Sequence, residues 1–381
     1  MPSLWTNIFI YSRKSLNRVS AYLERSTTLP LTVSYSPPGT IQDDQEHIST
    51  LFHHSRRWRC FVFMMDVAKD AGNALLGELH APQLECLRLD MGSKGPEIDL
   101  PTKFRIIPPL ASLTTLELAF LTPHATLTLT EFRDMVSASP NLATLSLRGR
   151  CINFSQESSY LVVELRSVLS LTLGGVNQSV QNYIEHISAP SVTSLTLLDM
   201  TVRNWDRLHD RQLHFPKYPA LRSLIFVDSS FNEDVYDWFP HLCPTVTTLT
   251  VADADCKDFD IGSVKLIAQM AESRSHSDVT RGPKWPKLHT ITLGIFISET
   301  AVLHDVVAAR LVSGNPLTKL RLDPSLFTEK TKKLIQDLRT RVIVEEFEFA
   351  SHPRMCRTAV ISESSEVEID WTNRPLNQAK Y

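Results

Sequence analysis

The stretch NLATLSLRG (141–149) contains the pattern Φ-x-x-Φ-x-Φ, in which Φ is an apolar residue, and this pattern recurs along much of the chain. The intervals between successive copies, obtained by subtracting their first positions, are 29, 29, 26, 24, 29, 25, 42 and 29 residues. Weaker copies begin at Trp58 and Val344. The nine clear copies begin at Leu84, Leu113, Leu142, Val168, Val192, Leu221, Val246, Leu288 and Leu317. One structural unit is therefore repeated through most of the chain.

Each copy is predicted to form a β-strand with one buried face. The fourth and sixth positions are apolar and alternate with polar residues, which is the period of a half-buried strand. The copies are also rich in Thr, Val, Leu and Ile, and several of these residues favour strands. Proline cannot continue a helix and holds its predecessor in an extended conformation, so a proline just upstream marks the start of a strand. Prolines stand two residues before the first apolar position at Pro82, Pro140, Pro190, Pro219, Pro244 and Pro286, and one residue before it at Pro316.

The segments between the strands have helical spacing. Amphipathic patterns predict helices over 179–188, 262–273 and 299–312. Thr128 and Glu131 have the spacing of a capping box at the start of another short helix. Strands that alternate with helices predict an α/β protein with a parallel sheet. The buried helix faces are predicted to contain Val180, Ile184 and Ile187 in the first helix and Val302, Leu303, Val306, Val307 and Leu311 in the last.

The repeat length and the one-sided strands favour one α/β architecture over another. Leucine-rich repeats have periods of about 20–29 residues. Strands of doubly wound or barrel sheets are apolar on both faces, which these copies are not. We therefore expect an α/β leucine-rich-repeat-like solenoid of about ten to twelve strands, a curved open parallel sheet with outer helices. The expected domains are a helical lead-in over 1–50, the solenoid over 51–350 and a fraying C-terminal tail over 351–381.

Four N-terminal segments resemble a known family. They are LWTNIFI (4–10), VSAYLERSTTLPLTVSY (19–35), LFHHSRRWRCFVF (51–63) and LHAPQLECLRL (79–89). In this order they resemble the region that follows the F-box in fungal F-box proteins with degenerate leucine-rich repeats. The resemblance implies a protein-interaction module that recognises the target of a ubiquitin ligase. The F-box that precedes the LW segment in that family is missing from this sequence, so a Skp adaptor is an expected partner only if an F-box exists upstream.

Composition narrows the classes of partner. The chain carries a net charge of −3, which gives no general attraction to nucleic acid or to anionic membranes. It contains no uninterrupted apolar run of membrane-spanning length, and its first residues, MPSLWTNIFIYSRK, lack the basic and apolar segments expected of a secretory signal. We expect a cytoplasmic or nuclear protein with a protein target, no nucleic-acid or membrane partner, and thiols that are scattered and reduced. The thiols are Cys60, Cys86, Cys151, Cys243, Cys256 and Cys356.

No catalytic, cofactor or metal site is expected. The glycine and lysine of GSKGPEID (92–99) have the wrong spacing for a phosphate loop, and DADCKDFD (253–260) lacks the glycine and glutamate of a calcium loop. His53 and His54 are expected in a strand, facing opposite ways beside Arg56, Arg57 and Arg59, which favours a positive rim over a zinc site. The polar segment 271–286 is expected to be a surface loop, with partner contact as an alternative. Two other functions stay open: a scaffold without a ubiquitin role, and an α/β enzyme with a pocket at the strand ends.

The polar positions of the repeated strand are the candidate binding surface, because repeat solenoids bind with their concave face. The residues are mainly small hydroxyls, which a cross-strand Ser/Thr ladder would also explain. Few aromatic or basic residues lie among them, which disfavours nucleic acid. In the functional hypothesis the charged ends orient a protein partner. The predicted residues are Arg88, Glu117, Ser146, Thr172, Thr196, Ile225, Thr250, Thr292, Lys319 and Arg321.

Overall fold

A computed structural model describes most of the repeated region. The chain divides into one unit, Met1–Phe349, which contains every described residue, and a second, Ala350–Tyr381. The predicted tail over 351–381 thus lies outside the described residues. The described residues are 5–10, 13–36, 50–64, 78–90, 105–106, 110–120, 126–154, 162–175, 179–210, 217–231, 235–252, 266, 270, 284–294, 301–329 and 331–347.

Thirteen parallel strands form one sheet, and their order in the sheet is their order in the sequence. Each interior strand therefore pairs with the strand before it and the strand after it. The strands are β1 (Asn7–Ile10), β2 (Leu31–Tyr35), β3 (Trp58–Met64), β4 (Cys86–Asp90), β5 (Thr115–Ala119), β6 (Thr144–Arg148), β7 (Ser170–Gly174), β8 (Ser194–Leu198), β9 (Ser223–Val227), β10 (Thr248–Ala252), β11 (Thr290–Gly294), β12 (Lys319–Leu322) and β13 (Ile343–Glu346). The predicted α/β class with a parallel sheet is confirmed.

Helices connect many of the strands. The predicted capping box is confirmed, because Thr128 Oγ1 accepts from Glu131 N and Thr128 N donates to Glu131 Oε2. Of the helix expected over 262–273, Leu266 and Met270 are described, and both are helical and buried. The bounded helices in the described ranges are α1 (Arg13–Arg25), α2 (Leu129–Ser137), α3 (Ser179–His186), α4 (Val202–Asp210), α5 (Val235–Leu242), α6 (Ala301–Val312) and α7 (Lys332–Arg339).

The nine clear copies of the repeat correspond to β4 through β12, and a recurrent turn precedes most of them. The amide of Leu84 donates to the carbonyl of Ala81 at 3.1 Å, and the amide of Leu221 donates to that of Tyr218 at 3.2 Å. The same bond precedes β5, β6, β8, β10 and β11. In most of these turns a proline such as Pro82 stands second, where its fixed φ angle suits a β-turn. The prolines therefore mark the strand starts, as predicted.

The two ends of the sheet differ from the sequence prediction. The segment 1–50 was expected to be a helical lead-in, but β1 and β2 flank α1 and belong to the main sheet. Leu31, Val33 and Tyr35 are buried in β2, but the register shifts between Leu31 and Thr32, so the apolar spacing of the unit is not kept there. At the other end Val344 pairs with Leu320, so it takes the second apolar position of the unit and not the first. The weaker copy assigned from Val344 was wrong in its frame.

The apolar strand positions and the buried helix residues form one core. Leu145 and Leu147 of β6 lie in the same hydrophobic cluster as Phe132 of α2 and Ile184 of α3, so the helices pack on the apolar face of the sheet. In α6 the predicted face is confirmed at Leu303, Val306 and Val307, which are buried. It is wrong at Leu311, which is 53% exposed near the end of the helix.

Candidate functional site

The register of the sheet brings the ten predicted residues together. Strand side chains alternate between faces, so the third, fifth and seventh positions of the unit share one surface, which we call the polar face. Residues at the fifth position pair across every neighbouring strand, and we call this line the central row. The central row contains Arg88, Glu117, Ser146, Thr172, Thr196, Ile225, Thr250, Thr292 and Arg321, and Glu345 continues it on β13. Lys319 precedes Arg321 by two residues and lies in the neighbouring row of third positions, which also includes Cys60, Cys86 and Thr290.

The middle of the central row is more buried than its polar residues suggest. Ser146, Thr196, Thr250 and Thr292 are buried, and the other predicted residues are half-buried. Parallel strands lie about 4.8 Å apart, so short side chains in one row shield one another. These four hydroxyl residues of the candidate surface are therefore largely inaccessible to a partner. The half-buried Thr172, Ile225 and charged ends remain accessible.

Arg88 and Glu117 form the charged N-terminal end of the central row. Their strands are adjacent, and Arg88 Nε lies 3.4 Å from Glu117 Oε2. The two side chains are 22% and 23% exposed, so solvent partly screens the pair. A partly exposed ion pair of this kind contributes about 0–1 kcal/mol to stability. Its main physical effect is to fix two opposite charges beside the hydroxyl positions.

At the C-terminal end of the row, Glu345 bridges both predicted cations. Its Oε1 lies 2.9 Å from Lys319 Nζ and its Oε2 lies 3.1 Å from Arg321 Nε. The hydrogen bond from Lys319, followed by that from Arg321, lowers the pKa of Glu345. The Arg321 guanidinium also lies 5.6 Å from the ring centroid of Phe347. Sequence reasoning missed Glu345 because the frame assigned from Val344 did not place it in the row.

Arg148 adds a third charged element to the polar face. It ends β6, in line with Ala119 and Gly174 on the neighbouring strands. Its guanidinium lies 5.2 Å from the Phe120 ring, and its Nε and Nη1 atoms are buried without a hydrogen-bond partner. Buried donors without an acceptor are energetically unfavourable. Because both atoms are shielded from solvent, an acceptor from another molecule can reach them only if the half-buried Arg148 side chain changes its rotamer.

The expected Ser/Thr residues lie opposite one another across the strands, for example Thr172 beside Ser146 and Thr196, and a further set of hydroxyls bonds to the backbone. Thr114 Oγ1 donates to the carbonyl of Glu85 at 3.0 Å, and Thr193 Oγ1 donates to that of Leu169 at 3.2 Å. Thr247 and Thr318 donate in the same way to the strand before their own. These threonines occupy the second position of the unit. The recurrent threonine at this position therefore ties adjacent strands together.

Contacts connect the four N-terminal motifs in series. The Arg25 guanidinium lies 4.6 Å from the ring centroid of Trp5. The next residue, Ser26, accepts a hydrogen bond from Arg57 Nη2 at 2.7 Å. Ser55 Oγ in turn donates to the carbonyl of His80 at 3.0 Å. These contacts join each motif to the next one along the chain. The motif residues involved therefore have structural roles.

The histidine pair has a different environment from the one predicted. His53 ends a helical turn and His54 lies in the turn before Ser55–Arg57, so the strand expected there begins later, at Trp58. Burial, then the nearby charge of Arg57, lowers the pKa of His54. Arg57 Nε and Nη2 both donate to the carbonyl of Leu29, so this member of the expected positive rim has a structural role.

Within the described ranges, no group of three or more His, Cys, Asp or Glu side chains is placed to hold a metal ion. The segments GSKGPEID (92–99) and DADCKDFD (253–260), and all of the loop 271–286 except its last three residues, lie outside the described residues. No helix in the described parts of the chain has the length and hydrophobicity needed to cross a membrane.

The fold and surface define an α/β protein with a long parallel sheet and one polar face. No protein-family profile matches the chain, and a search of curated proteins finds no significant relative. The functional argument therefore depends on the polar face itself.

Proposed function

We propose that the chain is a leucine-rich-repeat-like solenoid whose polar face binds a protein. The observation that carries the proposal is the central row, which runs in register across strands β4 to β13. Among the described residues, the helices pack on the opposite, apolar face of the sheet. A curved sheet of this kind would present the row as a concave surface.

The chemistry of the polar face favours a folded protein or an extended peptide as the partner. Charges at both ends of the row are paired, so neither end presents a strong field that would attract nucleic acid. Arg148 has two donors without an acceptor, and a change of its rotamer would present them to a carbonyl or carboxylate of the partner. Arginine is enriched among residues that dominate binding energy. Arg148 is the proposed anchor, and Thr172 and Ile225 are the proposed neighbouring contacts.

The resemblance to fungal F-box proteins suggests which class of partner the face binds. In that hypothesis the polar face holds the target of a ubiquitin ligase. The contacts between Trp5 and Arg25, and between Ser26 and Arg57, support a single N-terminal unit formed from the four resembling motifs. Recruitment of a Skp adaptor is part of the proposal only if an F-box is encoded upstream.

A site-specific photo-crosslinker tests the binding face. We expect a crosslinker at Thr172 or Ile225 to capture the same protein in cells, while one at the exposed Arg133 of α2 does not. Once that protein is identified, Arg148→Ala should weaken its binding at least fivefold, because a desolvated arginine anchor contributes more than about 1 kcal/mol. Adducts that are equal at Thr172 and Arg133, or a dissociation constant that Arg148→Ala leaves unchanged, would contradict the proposal.

A second experiment separates the F-box hypothesis from a scaffold without a ubiquitin role. The genomic sequence upstream of Met1 is translated, and any in-frame extension is expressed with the present chain. Co-purification of a Skp adaptor with the extended chain supports the ligase hypothesis. Capture of the target without the adaptor favours the scaffold.

A further inference from the structure

Cys60 and Cys86 lie side by side on the polar face, although the sequence separates them by 26 positions. They are register partners on the adjacent parallel strands β3 and β4. Neighbouring strands are about 4.8 Å apart, which falls within the Cα separation of about 4.4–6.8 Å that a disulfide requires. Neither cysteine is in a disulfide. Both are half-buried, so a small reagent can reach their thiols.

The other two described cysteines have a different environment. Cys151 is fully buried, and its Sγ donates to the carbonyls of Leu118 and Arg148 at 3.2 and 3.0 Å. Cys243 is also fully buried, and burial raises the pKa of its thiol to about 12. Buried thiols with raised pKa values are inert. Among the described cysteines, Cys60 and Cys86 therefore have the accessible, paired geometry that thiol exchange needs.

The thiols of Cys60 and Cys86 form a hydrogen bond to each other, which makes one sulfur more acidic than the other. This bond lowers the pKa of Cys60 and raises the pKa of Cys86, because the Cys86 S–H can donate to a Cys60 thiolate. Arg59 adds a smaller stabilisation of the Cys60 thiolate, while burial and the carboxylates of Glu117 and Glu85 oppose it. The first proton is therefore lost from Cys60, and a thiolate is the reactive nucleophile.

We propose that Cys60 and Cys86 are a redox-active pair that a small disulfide such as oxidised glutathione converts into a bridge between β3 and β4. The Cys60 thiolate attacks one sulfur of the reagent, breaks its S–S bond and releases one thiolate. Cys86 then loses its proton, attacks the Cys60 sulfur and expels the second thiolate. The pair loses two electrons and two protons, and the reagent is reduced to two thiols. The bridge would form at Cys86, two residues before Arg88 of the central row on the same strand. Oxidation would therefore modify one end of the polar face.

Peptide mapping of the whole chain tests this pair directly. Trypsin cleaves after Arg59, Lys69 and Arg88, so Cys60 and Cys86 fall in separate peptides, 60–69 and 70–88. After incubation with oxidised glutathione, alkylation and digestion, we expect the two peptides to be linked and lighter than their sum by two hydrogen atoms. Dithiothreitol should release them. Cys86→Ser should instead retain glutathione on Cys60, because the resolving thiol is missing.

A matched control tests the two cysteines that lie outside the described residues. Cys256→Ser combined with Cys356→Ser should still give the linked peptides, since neither residue takes part in the exchange. Two separate glutathione adducts on Cys60 and Cys86 without a link would overturn the proposal. Links from either residue to Cys256 or Cys356 in the unaltered chain would overturn it as well. Because the mapping uses the unaltered chain, a serine variant that fails to fold does not affect the result.

Discussion

Two adjacent residues in β6 provide a direct test of the two-faced strand. Leu145 is fully buried between Leu116 and Leu171 on the neighbouring strands, while Ser146 belongs to the central row. Leu145→Ala removes three methylene-sized groups, which corresponds to about 2.4 kcal/mol of lost burial. Strands on both sides limit collapse of the cavity, so the total loss should reach roughly 3–5 kcal/mol. Ser146→Ala removes only a hydroxyl and should change the free energy of unfolding by less than about 1 kcal/mol.

Urea denaturation followed by far-ultraviolet circular dichroism measures both changes, with the free energies obtained by linear extrapolation. Hydrogen exchange locates them: because β6 pairs only with β5 and β7, Leu145→Ala should speed exchange there and leave β12 unchanged. Equal destabilisation by the two substitutions would refute the alternation of faces. A change of less than about 1 kcal/mol for Leu145→Ala would refute its place in a packed core.

Two further predictions concern backbone conformation and a partly buried lysine. Gly149 and Gly314 have φ angles of +70° and +75°, but only at Gly149 would a Cβ atom meet Phe120 Cδ1 at 2.8 Å. By thermal denaturation, Gly314→Ala should therefore cost about 1 kcal/mol and Gly149→Ala clearly more, and equal costs would contradict the close contact. Burial lowers the pKa of Lys217 from 10.5 to about 8, so between those values the unfolded chain holds a proton that the folded chain has released. Stability should rise with pH across this window by up to about 3 kcal/mol, and urea titrations of Lys217→Met should lack that rise.

Much of the fold follows from the sequence because one pattern is repeated. The nine clear copies predict β4 to β12 with their faces, and prolines such as Pro82 and Pro219 predict the turns before them. Short elements without the full pattern were missed. In β1 only Ile8 and Ile10 are buried, which is too little periodicity to separate a strand from the expected helical lead-in. The frame error at Val344 arose because Glu346 occupies a position that is apolar in the other copies.

The arrangement of the central row could be predicted from the sequence, but its burial and side-chain contacts could not. Alternation fixes which side chains share a face, so the row from Arg88 to Arg321 could be found without coordinates. Burial within the row could not be found, because it depends on how closely adjacent strands shield short side chains such as Thr292. Cys60 and Cys86 appeared scattered along the sequence, since their contact depends on the register of two strands. The ion pairs of Glu345 with Lys319 and Arg321 also depend on the register of two strands, so they could not be predicted from the sequence.

The sequential strand order has a consequence for synthesis on the ribosome. Each strand can pair as soon as the next copy emerges, and at about 5–20 residues per second an interval of 24–29 residues takes roughly one to six seconds. During that interval the newest strand is an open edge, which is the feature of sheets most prone to wrong pairing. Because 42 residues separate the copies of β10 and β11, β10 remains an unpaired edge for roughly two to eight seconds. We expect this edge of the nascent chain to be the one in greatest need of a chaperone.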